Sequence, residues 1–201
     1  GIVTSNILDS TGLIKTSSVA VGLTFISKQT ASSSSTLSFT SGIDSTFKEY
    51  IFYFKGIHPS DAGTNFRVDF SVNGGSSYGA EKTTTVFAAD HFESGSSASL
   101  ATQSGQDLAA STNPQMFMIL DNANDSGGAG YLHLFEPSSD TFVKNFIIYG
   151  NGIVVDGGNP KNFNMYVSGY ANVTSPVNAV QFSMAGGTID AGEICLYGLT
   201  K

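Results

Sequence analysis

The closing segment of the chain constrains its fold most. Val177-Asn178-Ala179-Val180-Gln181-Phe182-Ser183-Met184 alternates apolar and polar, breaks at Ala185-Gly186-Gly187, and resumes at Ile189. Asp190-Ala191-Gly192 then turns into Glu193-Ile194-Cys195-Leu196-Tyr197-Gly198. Alternate residues of a strand share a face, so Val180, Phe182 and Met184 point one way, as do Ile194 and Leu196 on the next run. The pattern predicts a closing hairpin: two paired strands over Val177–Leu199, with the C-terminus tied into a sheet. Cys195 sits between two apolar neighbours and reads as a small buried hydrophobe, inert rather than reactive.

The rest of the chain repeats this grammar. From residue 23 onward, strand-like runs recur between Gly, Ser, Asn, Asp and Pro clusters: Leu23–Gln29, Thr36–Thr40, Glu49–Lys55, Phe66–Val72, Thr83–His91, Gln115–Leu120, Tyr131–Phe135, Phe142–Tyr149 and Asn162–Tyr170. Glu49-Tyr50-Ile51-Phe52-Tyr53-Phe54-Lys55 is apolar on both faces, which suits a central strand. Asn73-Gly74-Gly75 after a cleanly alternating run is a hairpin-type signal. Residues 94–113 are polar, with room for a short helix at Leu100–Ala110. No segment carries a helical apolar stripe over three turns. About ten short, evenly spaced strands predict an antiparallel β-sandwich or jelly roll over residues 23–201.

Residues 1–22 differ. Ile2, Val3, Ile7, Leu8, Leu13 and Ile14 form small apolar clusters between turn residues, without a sustained period. Such a segment buries too little to fold alone. It reads as an arm that docks onto a partner, against the alternative of a flexible terminus. The chain opens at Gly1, which fits loss of an initiator Met and the expectation of a complete product, although a trimmed chain would look the same.

Composition excludes several classes. A chain of 201 residues can bury roughly 70% of its unfolded surface, and one cysteine rules out an internal disulfide framework. Charged residues are 12% of the total, the net charge is −7, and no basic run exists to neutralise phosphates. Nucleic acid is therefore not an expected partner. No stretch approaches eighteen apolar residues, and no basic region leads into an apolar one as in a signal peptide.

The chemical motifs are weak. Gly75-Ser76-Ser77-Tyr78-Gly79 matches G-x-S-x-G, but a nucleophile elbow needs a following helix, and Glu81–Val86 favours strand. Asp121–Gly128 is rich in oxygen donors; counted from Asn122, the twelfth position is His133 rather than the bidentate Glu of an EF-hand. The loop reads as a β-turn, with a looser calcium site the alternative. His58, His91 and His133 lack metal-ligand spacing. Asp69, Asp90, Glu93, Glu136 and Asp140 could pair as glycosidase carboxylates only if the fold brought two together. No catalytic residue, metal ligand set or cofactor is assigned, and the expectation is a protein that is not an enzyme.

Several motifs together resemble one family. Phe25–Thr40 and Gly42–Tyr50 carry it first, with Ile57-His58-Pro59. Gly130–Ser139 with Phe142-Val143-Lys144, then Val167-Ser168-Gly169-Tyr170, continue it, and Phe182–Gly198 matches best. In order and over residues 23–201, these are similar to a group of tailed-bacteriophage virion proteins frequent in marine and cyanobacterial phages. The resemblance implies a jelly-roll-like virion component, used on heads and on tail fibres. Cys195 departs from it, standing where a basic or polar residue is usual. The expectation is a capsid decoration (cement) protein on the capsid exterior, a homotrimer bound to the major capsid protein or another virion protein through its arm. A tail-fibre or receptor-binding protein recognising host surface glycan is the alternative, with Tyr78, Tyr131 and Tyr170 as its candidate aromatics.

Overall fold

The computed structural model describes residues 22–199. The proposed docking residues Ile2, Val3, Ile7, Leu8, Leu13 and Ile14 lie outside the described residues. The alternating runs become twelve strands: β1 (Leu23–Thr30), β2 (Thr36–Phe39), β3 (Glu49–Pro59), β4 (Thr64–Ser71), β5 (Lys82–Phe92), β6 (Ala98–Thr102), β7 (Gln115–Leu120), β8 (Gly128–Phe135), β9 (Lys144–Asp156), β10 (Asn159–Ala171), β11 (Ala179–Met184) and β12 (Ile189–Leu199). All pair antiparallel, in an eight-stranded sheet of order β1-β12-β3-β8-β9-β10-β5-β6 and a four-stranded sheet of order β2-β11-β4-β7. The architecture is the β-sandwich that the strand spacing predicts.

The two sheets bury their facing sides. Tyr50, Phe52 and Phe54 of β3, Leu132 and Leu134 of β8, Phe146 and Ile148 of β9, and Ile194 and Leu196 of β12 meet Phe66, Val68 and Phe70 of β4 and Val180 and Phe182 of β11. Phe182 is the hub. Its ring lies 5.5 Å from Phe52 and 5.3 Å from Phe54 across the sandwich, and 5.8 Å from Phe66 and 6.2 Å from Phe39 within its own sheet. Edge-to-face and offset pairs of this kind add about 0.5–1.5 kcal/mol each beyond the area they bury. At one side the sheets come closer still, because β7 lies directly over β9. A Cβ at Gly150 would run into the Phe117 carbonyl oxygen, and one at Gly152 into Leu120. The Asp121 amide there donates to the Ile153 carbonyl at 3.0 Å, sewing one sheet to the other.

Two buried lysines sit at the same end of the sandwich, on either side of Ala171. Lys82 Nζ donates to Asp69 Oδ1 at 2.6 Å and to the Ala80 carbonyl at 2.7 Å. Burial pushes this ammonium below the usual lysine range, opposed by the Asp69 carboxylate. Lys144 Nζ donates to the carbonyls of Phe142, Val173 and Thr174 at 2.6, 3.1 and 3.1 Å, pinning two loops together.

Three expectations are corrected. The closing segment is not a hairpin: β11 pairs with β2 and β4, whereas β12 pairs with β1 and β3. Ala185–Thr188 carries the chain from one sheet to the other, since Phe182 and Leu196 fill the same core from opposite sides. For the same reason Asn73-Gly74-Gly75 bridges sheets, with β4 and β5 on opposite layers. Residues Leu100–Ala110 hold no helix. Ala98–Thr102 pairs with β5 as an edge strand, and the return segment bonds to β5 through Gln103 N to Val86 O and Val86 N to Asp107 Oδ1. Open strand groups on β5 are satisfied that way, and a helix there has no apolar face to bury. The tight hairpin of the fold lies elsewhere: Gly157-Gly158, at φ +57° and +83°, joins β9 to β10 in the two-residue turn that needs positive φ at both positions.

Removing one partner of a buried pair strands the other charge. Asp69→Asn should therefore destabilise the domain by about 3–5 kcal/mol, and Asp69→Leu combined with Lys82→Met should recover most of that loss. Urea unfolding of the two variants checks it.

Candidate binding face

Because strand residues alternate, each buried position on the eight-stranded sheet implies an outward one beside it. On β3, β8, β9 and β10, the outward residues flanked by Phe52 and Phe54, Leu132, Ile148, and Met165 and Val167 are Tyr53, Tyr131, Tyr149 and Tyr166. Antiparallel register sets them opposite one another: Tyr53 against Tyr131, Tyr131 against Tyr149, Tyr149 against Tyr166, and Tyr166 against Phe87 of β5. Tyr197 of β12 and Phe25 of β1 extend the row at its other end.

Ring centroids along this ladder are 5.6 Å (Phe25–Tyr197), 5.8 Å (Tyr197–Tyr53), 6.3 Å (Tyr53–Tyr131), 6.0 Å (Tyr131–Tyr149), 5.0 Å (Tyr149–Tyr166) and 4.9 Å (Tyr166–Phe87). One aromatic from each of seven adjacent strands thus crosses the outer face, a span of roughly 30 Å at normal strand spacing. Ring planes are tilted by 38° between Tyr131 and Tyr149 and by 48° between Tyr149 and Tyr166, whereas Tyr166 and Phe87 stack nearly parallel at 10°. The rings lean on one another like slats and turn edges and hydroxyls outward. Phe25, Phe87, Tyr131 and Tyr166 are 56%, 43%, 37% and 38% exposed. Partial burial, with Tyr166 and Tyr131 alongside, holds the Tyr149 phenol above its ordinary range.

A polar strip runs beside the ladder. Asn151 stands opposite Ala129 on one side and Asn164 on the other, and Asn164 faces Ala89. Asn151 Nδ2 donates to Asn164 Oδ1 at 2.8 Å and to Asn162 Oδ1, and the Tyr149 hydroxyl donates to Asn164 Oδ1 at 3.0 Å. Near the other end, Glu193 accepts from Lys28 and Lys55, both at 2.9 Å. These two ammonium groups lower the Glu193 carboxyl to about 2. Beneath them lies Cys195, 3% exposed, with Sγ 3.6 Å from Lys55 Nζ and 3.8 Å from Glu193 Oε1. The thiol is buried, as expected, but under surface charges on the outer side of the sheet rather than in the apolar core.

The other sequence candidates resolve into structural roles. Ser77 Oγ accepts from Asn73 Nδ2 at 2.8 Å within a loop, while His133 is engaged with Glu49 at 2.8 Å, so the G-x-S-x-G match is a turn. His58 Nε2 lies 3.1 Å from the Ala123 carbonyl. In the Asp121–Gly128 loop, Asp121 Oδ1 accepts from the Ala123 amide at 3.2 Å and Ser126 N donates to Ala123 O at 2.8 Å, the geometry of a turn. Among the described residues no group of three or more His, Cys, Asp or Glu could hold a metal. Asp69 pairs with Lys82, Asp90 accepts from Ser99, and Glu136 lies 3.9 Å from Lys48. Of the three tyrosines singled out from the sequence, Tyr131 is central to the ladder, whereas the Tyr78 hydroxyl is buried with no hydrogen-bond partner. No protein-family model, curated protein or solved structure matches this chain.

Two measurements probe the face. Tyr131→Ala removes two cross-strand ring contacts and should lower stability by about 1 kcal/mol, read from urea midpoints at unchanged slope. Glu193 has a folded pKa depressed below its ordinary value, so its stabilising effect is present above the ordinary carboxyl range and is lost as pH falls toward about 2. Wild-type and Glu193→Gln melting temperatures should converge over that acid interval and differ above it.

Proposed function

We propose that this chain is a structural protein of a tailed-phage virion, and that it acts by binding rather than by catalysis. Capsid decoration is the primary role. Residues 1–22 attach the protein to the major capsid protein or a neighbouring virion protein, and the sandwich assembles as a trimer on the capsid exterior. The observation that carries a binding role is the outer face of the eight-stranded sheet, where seven aromatic rings, one from each of seven adjacent strands, form a continuous row. Aromatic-rich, charge-depleted patches are the compositional mark of contact surfaces. The position of β1 supports the arm. It is an edge strand of the wide sheet and not one of its central strands.

Cementing works by mass action. A protein that binds the assembled shell and not its free subunits stabilises the shell by the binding free energy. A rigid sandwich suits this, because little conformational freedom is lost when it docks. The tail-fibre reading is supported by the same face, with host glycan as the partner.

Deleting residues 1–22 should abolish attachment to expanded capsids while leaving the β circular-dichroism spectrum and melting temperature intact. Attachment undiminished by the deletion would overturn the arm. Hundreds of copies per particle by quantitative mass spectrometry fit decoration, whereas a handful would place the protein on the tail.

A further inference from the structure

The tyrosine ladder and the asparagine strip beside it have a chemistry that neither stability nor a purely apolar contact requires. Asn151 spends its amide protons on the carbonyl oxygens of Asn162 and Asn164, and the Tyr149 hydroxyl adds a second donor to Asn164. This network fixes the orientation of all three amides. It leaves Asn162 Nδ2, Asn164 Nδ2, Asn151 Oδ1 and the hydroxyls of Tyr131 and Tyr166 with no hydrogen-bond partner among the described residues. An immobilised row of neutral donors and acceptors therefore lies directly beside a row of aromatic rings, and the small side chains of Ala129 and Ala89 flank the asparagines at the two ends of their row.

We infer that the strip formed by Tyr131, Tyr149 and Tyr166 together with the adjoining Asn151, Asn162 and Asn164 binds a neutral glycan chain. The C–H face of a pyranose is apolar and packs on an aromatic ring, while its vicinal hydroxyls need donor and acceptor together, which a carboxamide supplies. The rungs recur at the strand spacing of about 4.8 Å, close to the length of one sugar unit, so successive units meet equivalent surroundings. Neutral chemistry follows from the charges. The tyrosines, asparagines and alanines of the strip are uncharged, His91 stands opposite Asn162 at its end, and Lys28, Glu193 and Lys55 are engaged with one another. Ring tilt selects the form of the ligand. A crystalline polysaccharide surface needs coplanar rings, whereas a single soluble chain can lie beside slats that offer edges and hydroxyls. A protein partner would leave the fixed amides to be matched one by one, and a second copy of this chain would bring like amides against like.

The inference rests on the virion reading only for the biological source of the glycan; the binding itself does not. The full-length protein is screened against immobilised neutral oligosaccharides (glucans, mannans, galactans and N-acetylhexosamine chains) and against uronic and sulfated ones, then titrated with the best soluble hit. Wild type should bind at least one neutral oligosaccharide. Tyr131→Ala and Asn164→Ala should each weaken it tenfold or more, about 1.4 kcal/mol, with circular dichroism unchanged, and Phe142→Ala, at an exposed site in the loop before β9, should not. Asn164→Gln, which keeps the amide but moves it, separates positioning from loss of the group and should also weaken binding. Binding to none of the neutral panel, to anionic chains alone, or with equal affinity in a folded Tyr131→Ala/Asn164→Ala double variant would overturn the inference. So would a change of oligomeric state in Tyr131→Ala as the sole effect, which would make the face an interface between copies. Neutral-glycan binding by a protein absent from purified particles would overturn the virion role and keep this site; a particle-bound protein without such binding would do the reverse.

Discussion

The structure depends on one packing constraint: two sheets of unequal width must share a core in which Phe182 occupies the middle. Its ring touches aromatic rings from both layers, so the strand that carries it has to lie across from β3 and cannot pair beside it. Everything C-terminal follows from that. β11 takes the centre of the narrow sheet and the chain crosses at Ala185–Thr188. β12 then slots between the first strand and β3 in the wide sheet. Close-packed rings leave little tolerance here, because interiors are as dense as organic crystals. The glycines of β9 meet the same demand at the side, where β7 crosses too close for any Cβ.

Unequal sheet width has a second effect. Four strands cover one face of eight, and the opposite face of the wide sheet has no layer of this chain over it among the described residues. A large outer face with no covering layer must be made compatible with water while still holding eight strands in register. The tyrosine ladder does both, since each phenol buries ring carbon against its neighbour and keeps an oxygen outside. Asparagines replace aromatics one row away, where cross-strand amide bonds take over the lateral tie.

Strand existence was legible in the sequence because a period of two is a local property. Sheet membership was not. The alternation of Val180, Phe182 and Met184 is the same whether the neighbour on the hydrogen-bonding side is β12 or β4, and Asn73-Gly74-Gly75 turns a chain equally well within a sheet or between sheets. The β9–β10 hairpin was hidden for a related reason. Gly150-Asn151-Gly152 is continuous strand under the crossing of β7, and the turn is Gly157-Gly158. Buried Lys82 and Lys144 gave no local warning, since their partners are set by the fold. The ladder was half visible: Tyr53 and Tyr166 each sit between two apolar neighbours, and Tyr131 and Tyr149 beside one, which puts each on the face opposite those neighbours. Only the register places them in line.

The first described strand and the last are neighbours, with Leu23 directly opposite Leu199. The two ends of the described chain thus meet at one corner of the wide sheet. The Gly157-Gly158 tip lies toward the opposite edge of the wide sheet, beyond β8. Under the proposed attachment at that corner, the Tyr131–Tyr166 and Asn151–Asn164 stretch would stand three to five strands away from β1, toward the far half of the sheet. Lengthening or shortening the tether would alter how far the face reaches without touching a residue that lines it.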